Sequence, residues 1–362
     1  MDNVTLGLEV TGLLNSKPTG IGIYIKNLWE NLTKINVDVK LYYKITRRKN
    51  LNNLKNYSNY NLRWHYNNIY NPFYKKIDII HLTDNTFLNY RKSPKICTIH
   101  DLAVFKNETK IKYYTSKNHK QKISKYIKFV LKKVDGVIAV SNATKNDLIE
   151  LYNYPENKVR VISLAPNEFK IDNEKIKDKN YFNLKNKGYF LFVGDISVRK
   201  NIINLLRAYS INDLSNDFQL VLAGSMGMGK DLIKKTILDL NLNSRVKILN
   251  YVPNNILYSL YRNAAGLVFP TYYEGFGIPI LEAMKCKIPF LIGNIGAAPE
   301  TAGSHGIKVS PFSVEEISEG IKSLLETTDF QIEAAFKYAN KFSWEKNAIE
   351  TNKLYQEILG SY

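Results

Sequence analysis

The stretch FPTYYEGFGIPILEAMKCKIP, residues 269–289, joins a predicted buried strand to a predicted helix through a glycine-containing turn. The strand covers 266–269. The helix carries Pro279 in its first turn, a place that suits proline because its missing N–H would have had no partner there. A strand, a loop and a helix in this order form the repeating unit of a doubly wound α/β fold.

Two carboxylates, Glu274 and Glu282, flank this turn. We expect Glu282 in the first turn of the helix, where a negative charge complements the positive helix end and free N–H groups can bind a phosphate. The stretch alone leaves two interpretations open. Either Glu282 is a helix-dipole partner and Glu274 an ordinary loop carboxylate, or both hold the hydroxyls of a phosphorylated ligand.

The same alternation of strands and helices runs through the whole chain. In the first half we predict strands at 5–10, 37–43, 77–82, 95–99, 136–140 and 159–162, and helices at 23–35, 117–133 and 143–152. In the second half we predict strands at 189–193, 219–223, 246–249, 266–269 and 290–292, and helices at 202–210, 231–240, 254–263 and 279–285. Two parallel, doubly wound sheets follow from this pattern.

A length of 362 residues suits two domains of ordinary size. The predicted N-terminal domain is 1–165, a polar linker covers 166–188, the C-terminal domain is 189–343 and a final helix covers 344–362. Sheets of this kind bind ligands beyond the carboxyl ends of their strands. If those ends face each other, a ligand lies in a cleft between the domains.

The composition is that of a soluble globular protein, with 44% hydrophobic and 23% charged residues. No run approaches the ~20 apolar residues of a membrane span, and MDNVTLGLEV does not look like a signal peptide. Cys97 and Cys286 lie far apart and suggest neither a disulfide framework nor a metal site. We therefore expect a cytoplasmic protein.

The formal net charge of +18 is concentrated in the first half of the chain. Residues 1–165 hold 28 Lys and Arg against 12 Asp and Glu, a net of +16, whereas 166–362 hold 23 against 21, a net of +2. Such asymmetry predicts that the first half faces a polyanion, either nucleic acid or an anionic membrane surface.

Two loops of the first half follow predicted strands and contain candidate ligand-binding residues. In KPTGIGIYIKNL, residues 17–28, Gly20 and Gly22 precede a helix and would let the backbone approach a ligand closely. A flexible turn would have the same sequence features. In CTIHDLAVF, residues 97–105, His100 ends a strand and is either a structural histidine or a catalytic one.

A third loop, FLFVGDISVRKN at residues 190–201, follows the first strand of the second half. Its adjacent cations, Arg199 and Lys200, are either solvated or neutralise a diphosphate, for which arginine offers a bidentate fork.

The stretch GSMGMGK, residues 224–230, fits the phosphate-loop pattern G-x-x-x-x-G-K only in part. That pattern requires Ser or Thr next, to ligate magnesium, and the chain has Asp231 there. We therefore interpret the stretch as a glycine-rich loop rather than an ATPase motif. The chain also has no Asp-x-Asp pair, which weakens any mechanism in which a bound metal carries a diphosphate.

Together these motifs resemble the retaining glycosyltransferases of family 4, which have the GT-B fold, and the order of the motifs is kept over almost the whole chain. The matching segments are PTGIGIYIKNL, CTIHDLAVF, DGVIAVSNATKNDLIE, VGDISVRKN, YEGFGIPILEAM, AAPETAG and FSWEKNAIETNKLYQEIL. Glu274 and Glu282 occupy the two acidic positions of the Glu-x7-Glu signature. The resemblance implies two Rossmann-like domains facing a central cleft, with a terminal helix that crosses back to the first domain.

The resemblance also implies roles for the candidate residues. The implied catalytic residues are His100, Glu274, Arg199 and Lys200. The implied donor-binding residues are Gly20, Gly22, Gly194, Phe276, Gly277, Ile278 and Glu282. Glu282 would hydrogen-bond the ribose of a nucleotide-sugar donor, Glu274 would bind the hydroxyls of its sugar, and His100 would lie near the C6 end of that sugar.

By the same resemblance, the reaction retains the anomeric configuration, and the leaving phosphate accepts the proton of the acceptor. No metal or other cofactor is expected. The acceptor would be a glycan or a lipid-linked glycan, and the donor sugar a mannose or a similar hexose. Two residues depart from the family pattern. Asp195 stands where many relatives have arginine, so binding of the diphosphate would depend more on Arg199 and Lys200. Tyr24 also stands where relatives often have arginine, and this departure concerns the acceptor side of the glycine loop.

Three other functions compete with this interpretation. A nucleic-acid-binding protein would explain the basic first half, but the sequence shows no helix-turn-helix, zinc or RNA-binding signature, and we expect no nucleic-acid partner. An inverting enzyme of the same fold would normally lack Glu-x7-Glu. A nucleotide-sugar-binding regulator without catalysis would share the motifs and would differ only in turnover.

The lysine-rich segment 109–134 holds nine lysines and no acidic residue. Its apolar residues recur at helical spacing, which would place Lys122, Lys125, Lys128 and Lys132 on the outer surface. This is either a solvated helix face or a surface for an anionic membrane, near which each lysine contributes about 1 kcal/mol. We predict peripheral binding at the inner membrane face.

Overall fold

The structure is a computed structural model. It describes residues 4–14, 19–47, 49–50, 63–65, 77–84, 88, 93–106, 116–168 and 184–361. Several predicted segments fall partly outside these ranges. They are 169–183 of the linker, 17–18 of the first glycine loop and 109–115 of the lysine-rich segment.

The chain folds as two compact units. The first comprises Met1–Leu102, Lys117–Ala165 and Phe342–Tyr362, and the second comprises Ala103–Ser116 and Pro166–Lys341.

The first unit contains a seven-stranded sheet in which every pair of neighbouring strands is parallel. Its strands are β1 (Thr5–Glu9), β2 (Asp38–Lys44), β3 (Arg63–His65), β4 (Ile79–Leu82), β5 (Lys95–Ile99), β6 (Gly136–Ala139) and β7 (Val159–Val161). They lie in the order β3-β2-β1-β4-β5-β6-β7. The helices of this unit are α1 (Gly20–Lys34), α2 (Lys117–Leu131), α3 (Asn142–Tyr152) and the last helix of the chain, α11 (Trp344–Gly360).

The second unit repeats the architecture with a six-stranded parallel sheet. Its strands are β8 (Tyr189–Val193), β9 (Gln219–Ala223), β10 (Val246–Ile248), β11 (Gly266–Phe269), β12 (Phe290–Gly293) and β13 (Ile307–Val309), in the order β10-β9-β8-β11-β12-β13. Its helices are α4 (Ile202–Ser210), α5 (Lys230–Asp239), α6 (Asn254–Asn263), α7 (Ile278–Lys285), α8 (Ala298–Ala302), α9 (Val314–Ser323) and α10 (Asp329–Ala339).

The prediction of two parallel, doubly wound sheets is confirmed. The central strands are buried on both faces, as β4 and β8 show, and such strands appear in a sequence as short apolar runs. In each sheet the strand order reverses once, between β1 and β4 in the first unit and between β8 and β11 in the second. Ligand crevices of doubly wound folds form at such reversals, beyond the carboxyl ends of the strands.

The final helix α11 belongs to the core of the first unit, where it packs against α1. Trp344 and Tyr355 are almost completely buried, and Asn347 donates a 2.8 Å hydrogen bond to the carbonyl oxygen of Ser163. A Cβ added at Gly136 of β6 would lie 2.9 Å from Ile358, so the helix closes directly onto the sheet.

The lysine-rich helix α2, together with residues 132–134 directly after it, places apolar residues inward and lysines outward. Ile127, Val130, Leu131 and Val134 are buried, whereas Lys122, Lys125, Lys128 and Lys132 are exposed. Across the described parts of the chain, no helix has both the length and the apolar character that a bilayer crossing requires. The positions of the lysines agree with the amphipathic pattern, and their binding to a membrane stays a prediction.

Candidate functional site

The loop after β8 in the second unit is held by an asparagine in the left-handed conformation. Asn201 has a φ of 62°, a region that asparagine tolerates better than most residues. Its buried side chain donates hydrogen bonds of 2.8 Å to Pro270 O and 2.7 Å to Pro311 O. The loop after β8 is therefore tied to the loops after β11 and β13, around the point where the strand order reverses.

Lys200 and Glu274 form a buried ion pair at this point. The ammonium nitrogen of Lys200 lies 2.6 Å from each carboxylate oxygen of Glu274, and only 11% and 10% of the two side chains are exposed. The same nitrogen lies 5.7 Å from the centre of the Phe269 ring. Lys200 is therefore not a solvated surface cation. Because both side chains are largely buried, removing either one would leave the charge of the other uncompensated.

The other two charged residues of the β8 loop are more accessible. Arg199 is half-buried, and nowhere in the described part of the chain does its guanidinium form an ion pair or hydrogen bond. Asp195 is exposed, and its carboxylate lies against Gly227, where an added Cβ would be 2.3 Å from Oδ1. Gly194 directly follows β8, and the backbone of Gly224 approaches it closely. A Cβ added at Gly224 would lie 1.7 Å from Gly194 O.

The turn before α7 is shaped by Gly277. Its φ of 97° lies in the left-handed region that favours glycine, and no side chain caps the helix start. Thr301 donates a 2.5 Å hydrogen bond to the carbonyl oxygen of Phe276, which fixes the turn. In the first turn of α7, Pro279 has no N–H and the amide of Ile280 donates a 3.0 Å hydrogen bond to Gly277 O, which leaves the amide of Ile278 for an anion.

The expectation that Glu282 lies in the first turn of its helix is wrong. Helix α7 begins at Ile278, so Glu282 is its fifth residue, and the first turn contains no acidic residue. Glu282 is 2% exposed, and it accepts hydrogen bonds of 2.5 Å from Asn167 Nδ2 and 2.7 Å from the hydroxyl of Tyr261. A helix-dipole role therefore does not describe it, because specific side chains hold and orient the carboxylate.

Burial raises the pKa of the Glu282 carboxyl above its ordinary value of 4.5, and the hydrogen bonds from Tyr261 and Asn167 oppose that rise. A carboxyl of this kind binds its proton more tightly in the folded state than in the unfolded state. Its contribution to stability is fully present below the unfolded pKa and is lost as the pH rises through the folded pKa.

We therefore expect the Glu282→Gln variant, which cannot titrate at this position, to gain stability relative to wild type as the pH is raised. Urea unfolding of both proteins at several pH values between about 4.5 and 8 measures the difference in unfolding free energy. That difference should shift steadily in favour of the variant. A difference that stays constant over this range would contradict the burial of an ionisable carboxyl here.

The glycine loop and His100 lie in the first unit. Thr19 caps α1 by accepting a 3.2 Å hydrogen bond from the backbone N–H of Gly22, and a Cβ added at Gly20 would meet no atom within 4 Å. Nε2 of His100 lies 2.9 Å from Thr83 O, and burial lowers the pKa of His100 below its ordinary value. The direction of this shift favours the neutral imidazole.

The structure thus brings all eight second-unit candidates together at one end of their sheet. These are Gly194, Arg199, Lys200, Glu274, Phe276, Gly277, Ile278 and Glu282. Sequence reasoning missed Asn167, Tyr261 and Asn201, which hold them in place. Asn201 is the last residue of the loop at 190–201, which the sequence did single out. Asn167 lies in the predicted linker and Tyr261 in the apolar pattern of a predicted helix, and neither position has a local signal of a polar role.

Within the ranges that the structure describes, no group of three or more His, Cys, Asp or Glu side chains is arranged to hold a metal ion. Metal independence stays a prediction.

Two family models cover most of the chain. The model described as Glycosyl transferases group 1 matches residues 172–342, and the one described as Glycosyltransferase Family 4 matches residues 18–165. The first match contains the ion pair and Glu282, and the second contains the glycine loop and His100.

Individual relatives and solved structures show the same similarity to glycosyltransferases. O-antigen chain mannosyltransferase B of Escherichia coli is 29% identical over 287 residues, which cover 77% of this chain and 74% of the relative. The capsular polysaccharide biosynthesis glycosyltransferase CapM of Staphylococcus aureus is 25% identical over 307 residues, which cover 78% and 80%. The crystal structure of Anabaena Alr3699/HepE in complex with UDP-glucose has a TM-score of 0.73 at 16% identity and covers 99% of this chain and 100% of that one, which shows a shared fold.

Proposed function

We propose, since the chain belongs to the family 4 glycosyltransferases of the GT-B fold, that it is a retaining hexosyltransferase of surface polysaccharide biosynthesis. It moves mannose or a similar hexose from a nucleotide-diphosphate sugar to a glycan or a lipid-linked glycan. The relatives named above, an O-antigen mannosyltransferase and a capsular polysaccharide glycosyltransferase, support the substrate class.

The observation that carries the proposal is the buried Lys200–Glu274 pair at the strand-order reversal of the second sheet. Folding stability alone does not account for such a pair, because a protein with well-packed apolar side chains of similar volume at these positions is often as stable. A cation and a carboxylate held in fixed positions are instead suited to a ligand that carries both phosphates and hydroxyls.

In the proposed donor complex, Lys200 and Arg199 neutralise the diphosphate together with backbone N–H groups near 276–278, at the turn before α7. Glu274 binds hydroxyls of the donor sugar, and Glu282 binds the ribose. Asn167 and Tyr261 already orient the Glu282 carboxylate, so little side-chain ordering is required when the donor binds.

Cleavage of the sugar–phosphate bond places negative charge on the leaving phosphate and oxocarbenium character on the sugar. Fixed cations and amide donors aimed at the phosphate lower the barrier, because they need no reorganisation as the charge develops. The leaving phosphate then accepts the proton of the acceptor hydroxyl on the same face of the sugar. No carboxylate nucleophile and no metal takes part in this scheme.

We expect the product to keep the anomeric configuration of the donor and the rate to be unaffected by EDTA. NMR of the anomeric linkage in the product, from reactions with and without the chelator, tests both points. An inverted linkage would contradict the retaining mechanism, and loss of activity in EDTA would contradict metal independence. A nucleotide-sugar-binding regulator would bind the donor in the same assay without forming any product.

We also propose that the first unit binds the inner face of the membrane through the exposed Lys122, Lys125 and Lys128 of α2 and Lys132 directly after it. The +16 charge of residues 1–165 supports this over a merely solvated helix, because attraction to anionic lipids grows with each lysine near the surface. A lipid-linked acceptor would enter from that side.

We expect the protein to co-sediment with anionic liposomes, but not with neutral ones, and to be released at high salt because the charges are then screened. Replacing Lys122, Lys125, Lys128 and Lys132 with Glu should abolish the binding. A control variant with the same change in charge replaces four exposed lysines of the second unit, Lys234, Lys235, Lys337 and Lys341. Equal binding by the two variants, or none by wild type, would refute the proposed surface.

A further inference from the structure

A buried chain of hydrogen bonds runs through the first unit from α11 towards His100. The hydroxyl of Tyr355 lies 2.7 Å from His81 Nδ1, and His81 Nε2 lies 2.7 Å from Thr98 Oγ1. Thr98 Oγ1 in turn lies 2.8 Å from the hydroxyl of Tyr24. His81 and Tyr355 have no exposed surface, so bulk water does not compete for these bonds.

Tyr24, the last residue of this series of hydrogen bonds, contacts the His100 ring. The Tyr24 ring meets that of His100 nearly edge-on, with centroids 5.0 Å apart and planes at 77°. The His100 ring has a second contact, at Nε2. This nitrogen must donate its proton to Thr83 O, because a carbonyl oxygen only accepts. The lone pair of the neutral imidazole is then on Nδ1, and the two contacts fix the direction in which Nδ1 points.

His81 takes part in both of its hydrogen bonds as a neutral ring. Burial lowers the pKa of His81 to about 3, so the ring is neutral at pH 7 and has one donor and one acceptor nitrogen. Removing the hydroxyl of Tyr355 would leave a buried ring nitrogen without its partner. The bonds to Thr98 and onward to Tyr24 would then have to readjust.

We propose that Tyr355, His81, Thr98 and Tyr24 act together as positioning residues that set the orientation of His100. The final helix of the chain is part of this arrangement, because Trp344 of α11 also lies with its ring centroid 6.2 Å from that of Tyr24. The consequence for catalysis rests on the proposed function and on the position near the C6 end of the donor sugar that the family resemblance implies for His100. The predicted change in the orientation of the His100 ring does not depend on the proposed function.

The first test is the Tyr355→Phe variant, which removes one hydroxyl and keeps the ring. In protein labelled with ¹⁵N-histidine, the side-chain NMR signal of His100, identified by its loss in His100→Asn, should shift. In the transfer assay, kcat should fall roughly tenfold with little change in the KM of the donor, because misplacing a catalytic group affects turnover more than binding. The matched control is Tyr189→Phe, which removes an equally short buried hydrogen bond, 2.7 Å to Leu260 O, in the second unit.

The double variant of Tyr355→Phe with Tyr24→Phe tests whether the chain acts as a unit. Its loss of kcat should not exceed that of the more severe single variant, since coupled residues are not additive. Additive losses, or an unchanged His100 signal in a folded Tyr355→Phe protein, would overturn the inference. If Tyr355→Phe does not fold, Tyr24→Phe gives the same NMR readout. Because the NMR signal does not depend on turnover, an absence of transferase activity would refute the proposed function and leave this inference standing.

Discussion

Replacing Lys200 with alanine is expected to weaken donor binding at least tenfold and to lower the free energy of unfolding by about 3–5 kcal/mol. Both effects have one cause, which is that the carboxylate of Glu274 loses its partner in a site that excludes most solvent. Glu274→Ala should mainly reduce turnover, since its proposed contacts are to the reacting sugar. Urea unfolding and titration with a nucleoside diphosphate measure the two effects of the lysine change.

The chain offers a matched control in the same unit. Lys287 and Glu333 form an ion pair of the same 2.6 Å length, with 40% and 43% of the side chains exposed. Lys287→Ala should cost at most about 1 kcal/mol, because water screens exposed pairs and replaces the lost partner. Equal losses in Lys200→Ala and Lys287→Ala would contradict the account of a desolvated pair.

A double variant separates folding from function. Lys200→Met with Glu274→Leu replaces the pair with apolar side chains of similar volume, and such replacements are often neutral or stabilising. We expect this variant to recover most of the stability that Lys200→Ala loses and to remain inactive. Recovered activity in this variant would show that the pair is structural only.

Replacing Glu282 with alanine is expected to reduce donor affinity tenfold or more while turnover of bound donor changes less. A charge-assisted hydrogen bond contributes roughly 1.5–3 kcal/mol, and the proposed contact is to the ribose rather than to the reacting bond. The measurement is the dissociation constant for whichever of UDP, GDP, dTDP and ADP binds wild type. Tyr261→Phe, which keeps the carboxylate but removes one of its hydrogen bonds, should have an intermediate effect.

The control for Glu282→Ala is Glu333→Ala, which removes a carboxylate from the surface of the same unit. Donor affinity should be unchanged in this variant. Wild-type affinity in Glu282→Ala would remove Glu282 from the donor site and would leave its burial as a structural feature.

Much of the fold could be predicted from the sequence because the central strands are buried on both faces. Runs such as Tyr189–Val193 and Gly266–Phe269 are apolar throughout and stand out in a polar chain. The three-residue edge strands β3 and β13 were missed, although β7 and β10, which are edge strands of the same length, were predicted. Length alone therefore does not explain the omission, but β3, with the sequence RWH, also lacks an alternation of apolar and polar residues.

Helices α9 and α10 were also absent from the prediction, although the sequence held a signal for them. Ser313 caps α9 by accepting from the N–H of Glu316. Thr328 and Gln331 form a capping box at the start of α10, a spacing that can be recognised in the sequence. Helix α8 is only five residues long and lies in the AAPETAG segment, where a turn and a helix have the same local features.

The partners within the candidate site could not be predicted, because they come from distant parts of the chain. Lys200 and Glu274 are 74 positions apart, and Asn167 is 115 positions from Glu282. Sequence patterns identify which loops follow strands, so they predicted the loops correctly. They do not show that Lys200 is buried or which carboxylate it contacts, since that depends on how three loops pack at the end of one sheet.

The central claim is that the second unit binds and activates a nucleotide sugar, and consumption of the donor tests it most directly. Wild type and the Lys200→Met, Glu274→Leu double variant would be incubated in EDTA with UDP-, GDP-, dTDP- and ADP-hexoses, with glycan or water as acceptor. ³¹P NMR would follow release of the nucleoside diphosphate. We predict that wild type consumes at least one donor and that the folded double variant consumes none. Intact donors throughout, or equal release by both proteins, would contradict the claim.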